Sequence, residues 1–366
     1  MANPYFRVTM LPAAHGDGIW VEYSGGGQAR RLVIDGGPIN AYPDFEQSFD
    51  RLPDGDRQVD LFVISHVDTD HIEAPVRMLA QLRRRWPFVP GEIWFNGYRH
   101  MTAQQDLGAR DGEFLSALIN REAGNQWNAS FEHHAVVVPD AGALPRITFP
   151  DDMVLTLLSP GRDDLEKMAK AWEAELKAFS PGDLKRALEF LADDRRYRGA
   201  LGTLGPEDLD APLRKQLKGA DPSKANGSSI AFLAEFQGTS ILLLADAHMS
   251  TVCASLQRLL PAGQTRLKVD AVKLSHHGSK NNLTPRFLEL VDAEHFLVST
   301  NGDHHEHPDA PAIEAVIAGA TRTPTLWFNY RSPYSEPWEA GSQGAGAKYA
   351  TRYPAPGTAG ITLTLI

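Results

Sequence analysis

The stretch Ser65-His66-Val67-Asp68-Thr69-Asp70-His71-Ile72 decides how the rest of the chain is read. It follows the apolar run Leu61–Ile64, which reads as a buried strand ending at Ser65-His66. Four side chains able to ligate a metal, His66, Asp68, Asp70 and His71, crowd together there. A loop directly after a strand can turn several of them towards one point. Imidazole with carboxylate suits Zn²⁺, Mn²⁺ or iron, and no thiolate biases the choice. The plainer alternative is a polar turn with capping aspartates. Two histidines and two aspartates at this spacing speak against it.

Working outward, other strand ends carry the same kinds of side chain. Leu242-Leu-Leu-Ala-Asp246 places a carboxylate at the end of a buried strand, which is costly unless the group is paired or bound to a cation. Alone, Asp246 also reads as a helix cap. Lys273-Leu-Ser-His276-His277-Gly278-Ser279 ends a strand in two imidazoles, with Gly where backbone passes close to something. Asn301-Gly-Asp-His304-His305-Glu-His307-Pro308 follows a further apolar strand, and Asp35-Gly36-Gly37 follows Arg31–Ile34. Strand ends delivering His and Asp to one edge of an α/β sheet is the expected geometry of an active site. His15, His100, His248 and His295 read as structural or exposed.

Between these motifs the chain alternates strands and helices, which predicts an α/β layer arrangement. Strands are expected at Phe6–Met10, Gly18–Tyr23, Glu92–Phe95, Glu132–Val138, Met153–Leu158, Ser229–Phe236, Asp270–Leu274 and Phe296–Ser299. A closing edge strand is expected at Ile361–Ile366. Helices are expected after Ile72, and over 111–123, 250–260, 284–291 and 311–318. Asp163–Phe179 and Leu184–Leu191 read as helices, and Arg195 to Asn226 has no clear period. Residues 160–225 therefore read as a helical and loop insertion within a single domain spanning 1–366. It is either a solvated excursion or a segment that covers substrate or forms an oligomer.

Composition narrows the class. The chain has 366 residues, 42% of them hydrophobic, and a net charge of −10. That predicts a folded protein with a sizeable core and argues against a general polyanion-coating role. The one cysteine, Cys253, excludes an intrachain disulfide framework. No run approaches the ~20 apolar residues of a membrane span. The opening residues lack a signal-peptide pattern, so a cytoplasmic protein with no membrane partner is expected.

The order Asp35-Gly-Gly, His66-x-Asp68-x-Asp70-His71, Asp246, His276-His277-Gly-Ser resembles the metallo-β-lactamase fold superfamily. With His307-Pro308 downstream and His15-Gly16-Asp17-Gly18 before a strand, it most resembles the hydrolase domain of ComEC-type competence proteins and its stand-alone relatives. The match covers roughly residues 5–100 and 226–320 and leaves 160–225 unexplained. The resemblance implies an αββα sandwich and a site for two divalent ions, Zn²⁺ or Mn²⁺. It assigns His66 and Asp68 to one ion, and Asp70, His71 and His277 to the other, with Asp246 bridging. His276 becomes a neighbour that orients or contacts substrate, and Asp35 orients the metal loop without ligating.

Two departures from the family pattern stand out. Asp68 occupies a position where the superfamily usually has His, which makes Mn²⁺ or iron more credible. A further His expected before the strand leading to Asp246 is missing, and that region reads Lys224-Ala-Asn226-Gly-Ser-Ser229. Asn226 is then a weak ligand or a substrate hydrogen-bonder, or His133 or His134 folds in. A mononuclear site stays open.

The resemblance implies a metal-dependent hydrolase using an activated water. Asp70 orients the water and accepts its proton, and His307 or His304 protonates the leaving oxygen or binds phosphate. Ser279-Lys280-Asn281-Asn282 beside the site suits a phosphate, so phosphodiesters are the first substrate class. Small phosphoesters and cyclic nucleotides fit the acidic charge better than long nucleic acids. Carboxylic ester, thioester or lactone hydrolysis is the second reading. A non-catalytic binding or sensor module with a decayed metal site is the third. Oligomeric state is not readable.

Overall fold

The computed structural model describes residues 3–81, 86–101, 110–176, 178–180, 182–197, 222–343 and 346–366. The strands in chain order are β1 (Tyr5–Met10), β2 (Ile19–Ser24), β3 (Arg30–Ile34), β4 (Gln58–Val63), β5 (Val89–Trp94), β6 (Arg146–Phe149), β7 (Met153–Ser159) and β8 (Ala231–Phe236). They continue as β9 (Thr239–Leu243), β10 (Leu267–Lys268), β11 (Ala271–Lys273), β12 (Val291–Asp292), β13 (His295–Val298), β14 (Thr325–Phe328), β15 (Ala350–Arg352) and β16 (Ile361–Thr364).

The first sheet has the order β16-β1-β2-β3-β4-β5, and the second has β15-β14-β13-β11-β9-β8-β7-β6. Each changes from antiparallel to parallel pairing part-way across. In the first the change comes after β3, whose partner β4 is parallel. In the second it comes after β9, whose partner β11 is parallel. β10 and β12 form a small separate pair.

Side-chain alternation explains the layers. Phe6, Val8 and Met10 of β1 share one core with Ile19, Val21 and Tyr23 of β2, and with Leu155 of β7 and Phe232 and Phe236 of β8. Edge-to-face pairs cross between the sheets, Phe6 on Phe236 at 5.9 Å and Trp94 on Phe232 at 5.9 Å. The alternate positions Trp20, Val33, Phe62 and Ile93 belong to a second core with residues of helices Tyr42–Asp50, Thr69–Leu79 and Arg110–Ala123. On the other side, the parallel pairs need crossover connections. Helices Met249–Leu259, Pro285–Leu290 and Ala310–Gly319 supply them, packing Val252, Leu256, Phe287, Ile313 and Val316 into the shared core. The molecule is thus α/β, two sheets face to face with helices outside each.

The helices Arg162–Glu175 and Leu184–Asp193 of the expected insertion are present. They are not a solvated excursion. Leu165, Met168, Trp172, Leu191 and Tyr197 are buried in the core beneath the first sheet's helices. A short helix, Pro222–Gly227, occupies part of the stretch that showed no period. Residues 83–85 and 198–221 lie outside the described residues.

The expected strand Glu132–Val138 does not form. In place of a ladder its backbone bonds to side-chain amides and, at Val138, to one isolated bridge with Gly161. Val136 donates to Asn96 Oδ1 at 2.9 Å and accepts from Asn96 Nδ2 at 2.8 Å, and His134 O accepts from Asn128 Nδ2 at 2.9 Å.

Candidate metal centre

The carboxyl ends of β3, β4, β9 and β11 meet at one edge between the sheets. Asp35 follows β3 in a left-handed backbone conformation and is fully buried. Its Oδ1 accepts from the Ser65 backbone N–H at 2.7 Å, and its Oδ2 accepts from Ser65 Oγ at 2.6 Å and His71 Nδ1 at 2.8 Å. A carboxylate only accepts, so His71 carries a proton on Nδ1, and its Nε2 is turned away from Asp35. Ser65 Oγ, having donated to Asp35, receives His66 Nδ1 at 3.0 Å. One carboxylate therefore sets the ring orientation of two histidines, the usual arrangement around a metal.

The rings converge on Asp246. Its Oδ2 lies 3.4 Å from His71 Nε2, 3.7 Å from His277 Nε2, 3.8 Å from His276 Nε2 and 4.0 Å from His66 Nε2. Ala245, in left-handed conformation, turns the chain out of β9 so that Asp246 reaches this point. His276, His277 and Gly278 all have positive φ, which folds the loop after β11 back and aims both imidazoles at the same carboxylate. His277 is fixed by Nδ1 donating to Ser299 O at 2.9 Å, and its Nε2 lies 3.2 Å from Asp70 Oδ2. His276 Nδ1 donates to Asn282 Oδ1 at 2.8 Å.

Asp70, His71, Asp246 and His277 each offer one atom, all within 4.8 Å of one another. Asp68 Oδ2 lies 3.5 Å from His66 Nε2. These residues fit a divalent cation. His66 Nε2, His71 Nε2 and Asp246 Oδ1 are buried without a hydrogen bond, a costly state for polar atoms unless a further ligand unites them. Charge points the same way. Burial opposes ionisation of Asp70 and Asp246, but the histidines around them hold both well below the usual carboxylate range. Burial lowers His277, and Asp246 and Asp17 more than reverse that, raising it to about 10. His71 is raised for the same reason, Asp246 first among the carboxylates. A cluster this rich in carboxylate calls for compensating positive charge.

A second cluster, Asp17, Asp35 and His71, is equally close. Its groups are already committed: Asp35 to Ser65 and His71, and Asp17 to Lys273.

Nothing among protein-family models or curated proteins matches the chain. Solved structures do match. The metallo-β-lactamase fold protein YhfI from Bacillus subtilis matches over 99% of this chain and 100% of its own, at 10% identity and TM-score 0.40. Zn²⁺-bound PqqB from Methylobacterium extorquens matches over 98% and 99%, at 11% identity and TM-score 0.41. The diiron β-hydroxylase CmlA from Streptomyces venezuelae matches over 100% of this chain and 55% of its own, at 11% identity and TM-score 0.40. The chain thus spans about half the length of CmlA. Likenesses this distant carry no site, metal or substrate across, and the case for the centre is its own geometry.

The remaining candidates sit around the rim. His307 is buried, with its Nδ1 3.6 Å from Asp309 Oδ2 and its ring 5.6 Å from that of His276. Burial, then His277 and His276, lower it to about 4, so at neutral pH it is an uncharged imidazole able to give or take a hydrogen bond. His304 is exposed, 2.9 Å from His305 Nε2 and stacked on His15 at 4.9 Å. His15 thus belongs to the rim, a role its isolated position in the sequence did not signal. Asn226 is buried, its Nδ2 3.4 Å from His276 Nδ1. Ser279 Oγ caps the following turn, accepting from Asn281 N, and Lys280 Nζ reaches Asp309 at 3.5 Å. His133 and His134 are exposed, His133 bonded to Trp127 O at 2.9 Å, and neither folds into the centre. His276 reaches the cluster from the loop after β11, its Nε2 facing Asp246 Oδ2. Among the described residues no helix is long and apolar enough to cross a membrane.

Proposed function

We propose that this protein is a metal-dependent hydrolase of the metallo-β-lactamase type, acting on small phosphodiesters. The observation that carries the reading is the convergence of four imidazole Nε2 atoms within 4.0 Å of one Asp246 oxygen. Asp70, His71, Asp246 and His277 would hold one divalent ion, and His66, Asp68, Asp246 and His276 a second. Zn²⁺ and Mn²⁺ both suit this oxygen and nitrogen set. Such an ion, when bound, polarises a substrate oxygen and lowers the pKa of a coordinated water to about 7. Asp70, more open than Asp246, would accept a proton. Neutral His307 and exposed His304 are placed to hydrogen-bond the leaving oxygen. The resemblance of the motifs to the competence-protein hydrolases supports the phosphodiester class.

One observation favours carboxylic ester, thioester or lactone hydrolysis as the second reading. Ser279 and Lys280, the residues best suited to grip a phosphate, are engaged with Asn281 and Asp309. Elemental analysis of purified protein, with turnover of bis-p-nitrophenyl phosphate and of p-nitrophenyl acetate in Mn²⁺ or Zn²⁺, decides between them. The expected result is at least one tightly held ion per chain and faster phosphodiester turnover, with both lost in a folded Asp70→Ala variant. Bound metal without turnover of either ester would leave the binding-module reading in possession.

A further inference from the structure

Asp17 and Lys273 form an ion pair beneath the centre, and the hydrolase reading gives neither a task. Lys273 is the last residue of β11, a central strand of the second sheet, and is 1% exposed. Asp17 comes from the turn before β2 in the first sheet and is 2% exposed. Lys273 Nζ donates to Asp17 Oδ2. Around them the walls are apolar, with Ile19, Ile34, Ile230, Phe232 and Leu243 lining the same small cavity.

A buried ion pair is a poor source of stability, because desolvation offsets the attraction and apolar residues of like volume often serve better. Its presence in the middle of a sheet core therefore asks for another reason. Geometry supplies it. The second Asp17 oxygen, Oδ1, is buried without a hydrogen bond and lies 3.4 Å from His277 Nδ1. The same turn also grips the loop that carries Asp70 by its backbone. Asp17 N donates to Asp70 O at 3.2 Å, and Ser299 Oγ donates to Gly16 O at 3.0 Å. A Cβ at Gly16 would lie 1.7 Å from Asp70 O, so only glycine permits this approach.

We infer that Asp17, held in place by Lys273, is a positioning residue that keeps the His277 proton on Nδ1 and so presents Nε2 as a ligand beside Asp70. The inference rests on the hydrolase reading for the presence of a cation. Ser299 O and Asp17 Oδ1 flank one N–H, and a ring flip or tautomer change at His277 would forfeit both. Lys273 acts one step further out, by keeping a full carboxylate in an apolar cavity. Outer partners of this kind typically govern metal affinity by about 10- to 100-fold.

The test compares wild type, Lys273→Met and the double variant Asp17→Asn/Lys273→Met, all stripped of metal. Zn²⁺ affinity is read by competition with a chelating dye, and thermal midpoint is read in EDTA. Lys273→Met alone leaves an unpaired buried carboxylate and is expected to lower both. The double variant removes both charges, so its midpoint is expected to return towards wild type while Zn²⁺ affinity stays about 10- to 100-fold weaker. Recovery of affinity together with stability would overturn the inference and leave the pair merely structural. Should neither variant fold, ¹⁵N chemical shifts of His277 in stripped wild type still decide. The neutral Nδ1–H form supports the inference, and the neutral Nε2–H form refutes it. A wild type that binds no Zn²⁺ or Mn²⁺ would instead remove the hydrolase reading itself, an outcome distinct from equal affinities.

Discussion

Glu113, on the helix Arg110–Ala123, shows how a single buried group ties stability to pH away from the centre. Its side chain is 1% exposed. Burial is the largest influence and raises its pKa from 4.5 to about 7, the Gly182 backbone offsetting part of this and the Asp183 charge adding to it. Between those two values the folded protein keeps a proton that the unfolded chain has released. Glu113's contribution is thus fully present below about pH 4.5 and is lost as pH rises through about 7. At about 1.4 kcal/mol per pKa unit, the loss is on the order of 3 kcal/mol. Glu113→Gln should therefore gain on wild type as pH rises, read from urea midpoints at about pH 5 and pH 8. A difference between the two proteins that does not move with pH would refute the assignment. Asp35 illustrates what a sequence does convey about single residues. A carboxylate in a Gly-rich turn after an apolar strand signals a special backbone conformation, and the structure gives it positive φ and three hydrogen bonds. Lys273 was legible too, as the one charge in Ala271-Val272-Lys273-Leu274, but its partner stands 256 positions away and nothing local points to it.

At the scale of elements, the helix Thr69–Leu79 carries Asp70 and His71 at its start and an anchor one turn on. Glu73, fully buried, accepts from Ile39 N at 3.0 Å and from Arg196 Nη1 at 2.9 Å. Arg196 also reaches Asp111 Oδ1 at 3.0 Å and Asp194 Oδ2 at 2.9 Å. The turn after the second inserted helix is thereby tied to the helix that begins at the metal loop. Removing one partner of such a cluster leaves buried carboxylates uncompensated, at a cost of about 3–5 kcal/mol. Arg196→Met should lose stability on that scale in urea denaturation, and a loss below about 1 kcal/mol would show that the segment is docked by its apolar contacts alone. Periodicity exposed the first inserted helix because Leu165, Met168, Ala169 and Trp172 repeat at helical spacing. It misread Glu132–Val138, since alternation shows which side chains face inward but not what the backbone bonds to. There the amides of Asn96, 40 positions away, and of nearby Asn128 replaced a neighbouring strand.

Across the whole molecule, the layers were legible because apolar alternation and crossover helices leave few ways to close two sheets. The convergence of His66, His71, Asp246 and His277 was legible because each follows a strand that can only end at that edge. The rim was not, since a loop side chain such as His15 follows no period and is placed by a partner from elsewhere in the chain, His304. Net charge bears on what that rim can admit. At −10 overall, and with Lys280 bonded to Asp309, the molecule is poorly charged for holding a polymer backbone. For single strands, the logarithm of affinity falls against that of salt with a slope of about 0.7 per phosphate neutralised. Anisotropy of a fluorescent single-stranded oligonucleotide at about 50 to 200 mM salt should therefore give a slope no steeper than about −1.5, equivalent to roughly two phosphates. Small phosphodiesters should be turned over at rates nearly independent of salt. A slope near −4 would mean about six phosphates held by a basic track, and would move the proposed substrate from a small phosphodiester to a polynucleotide.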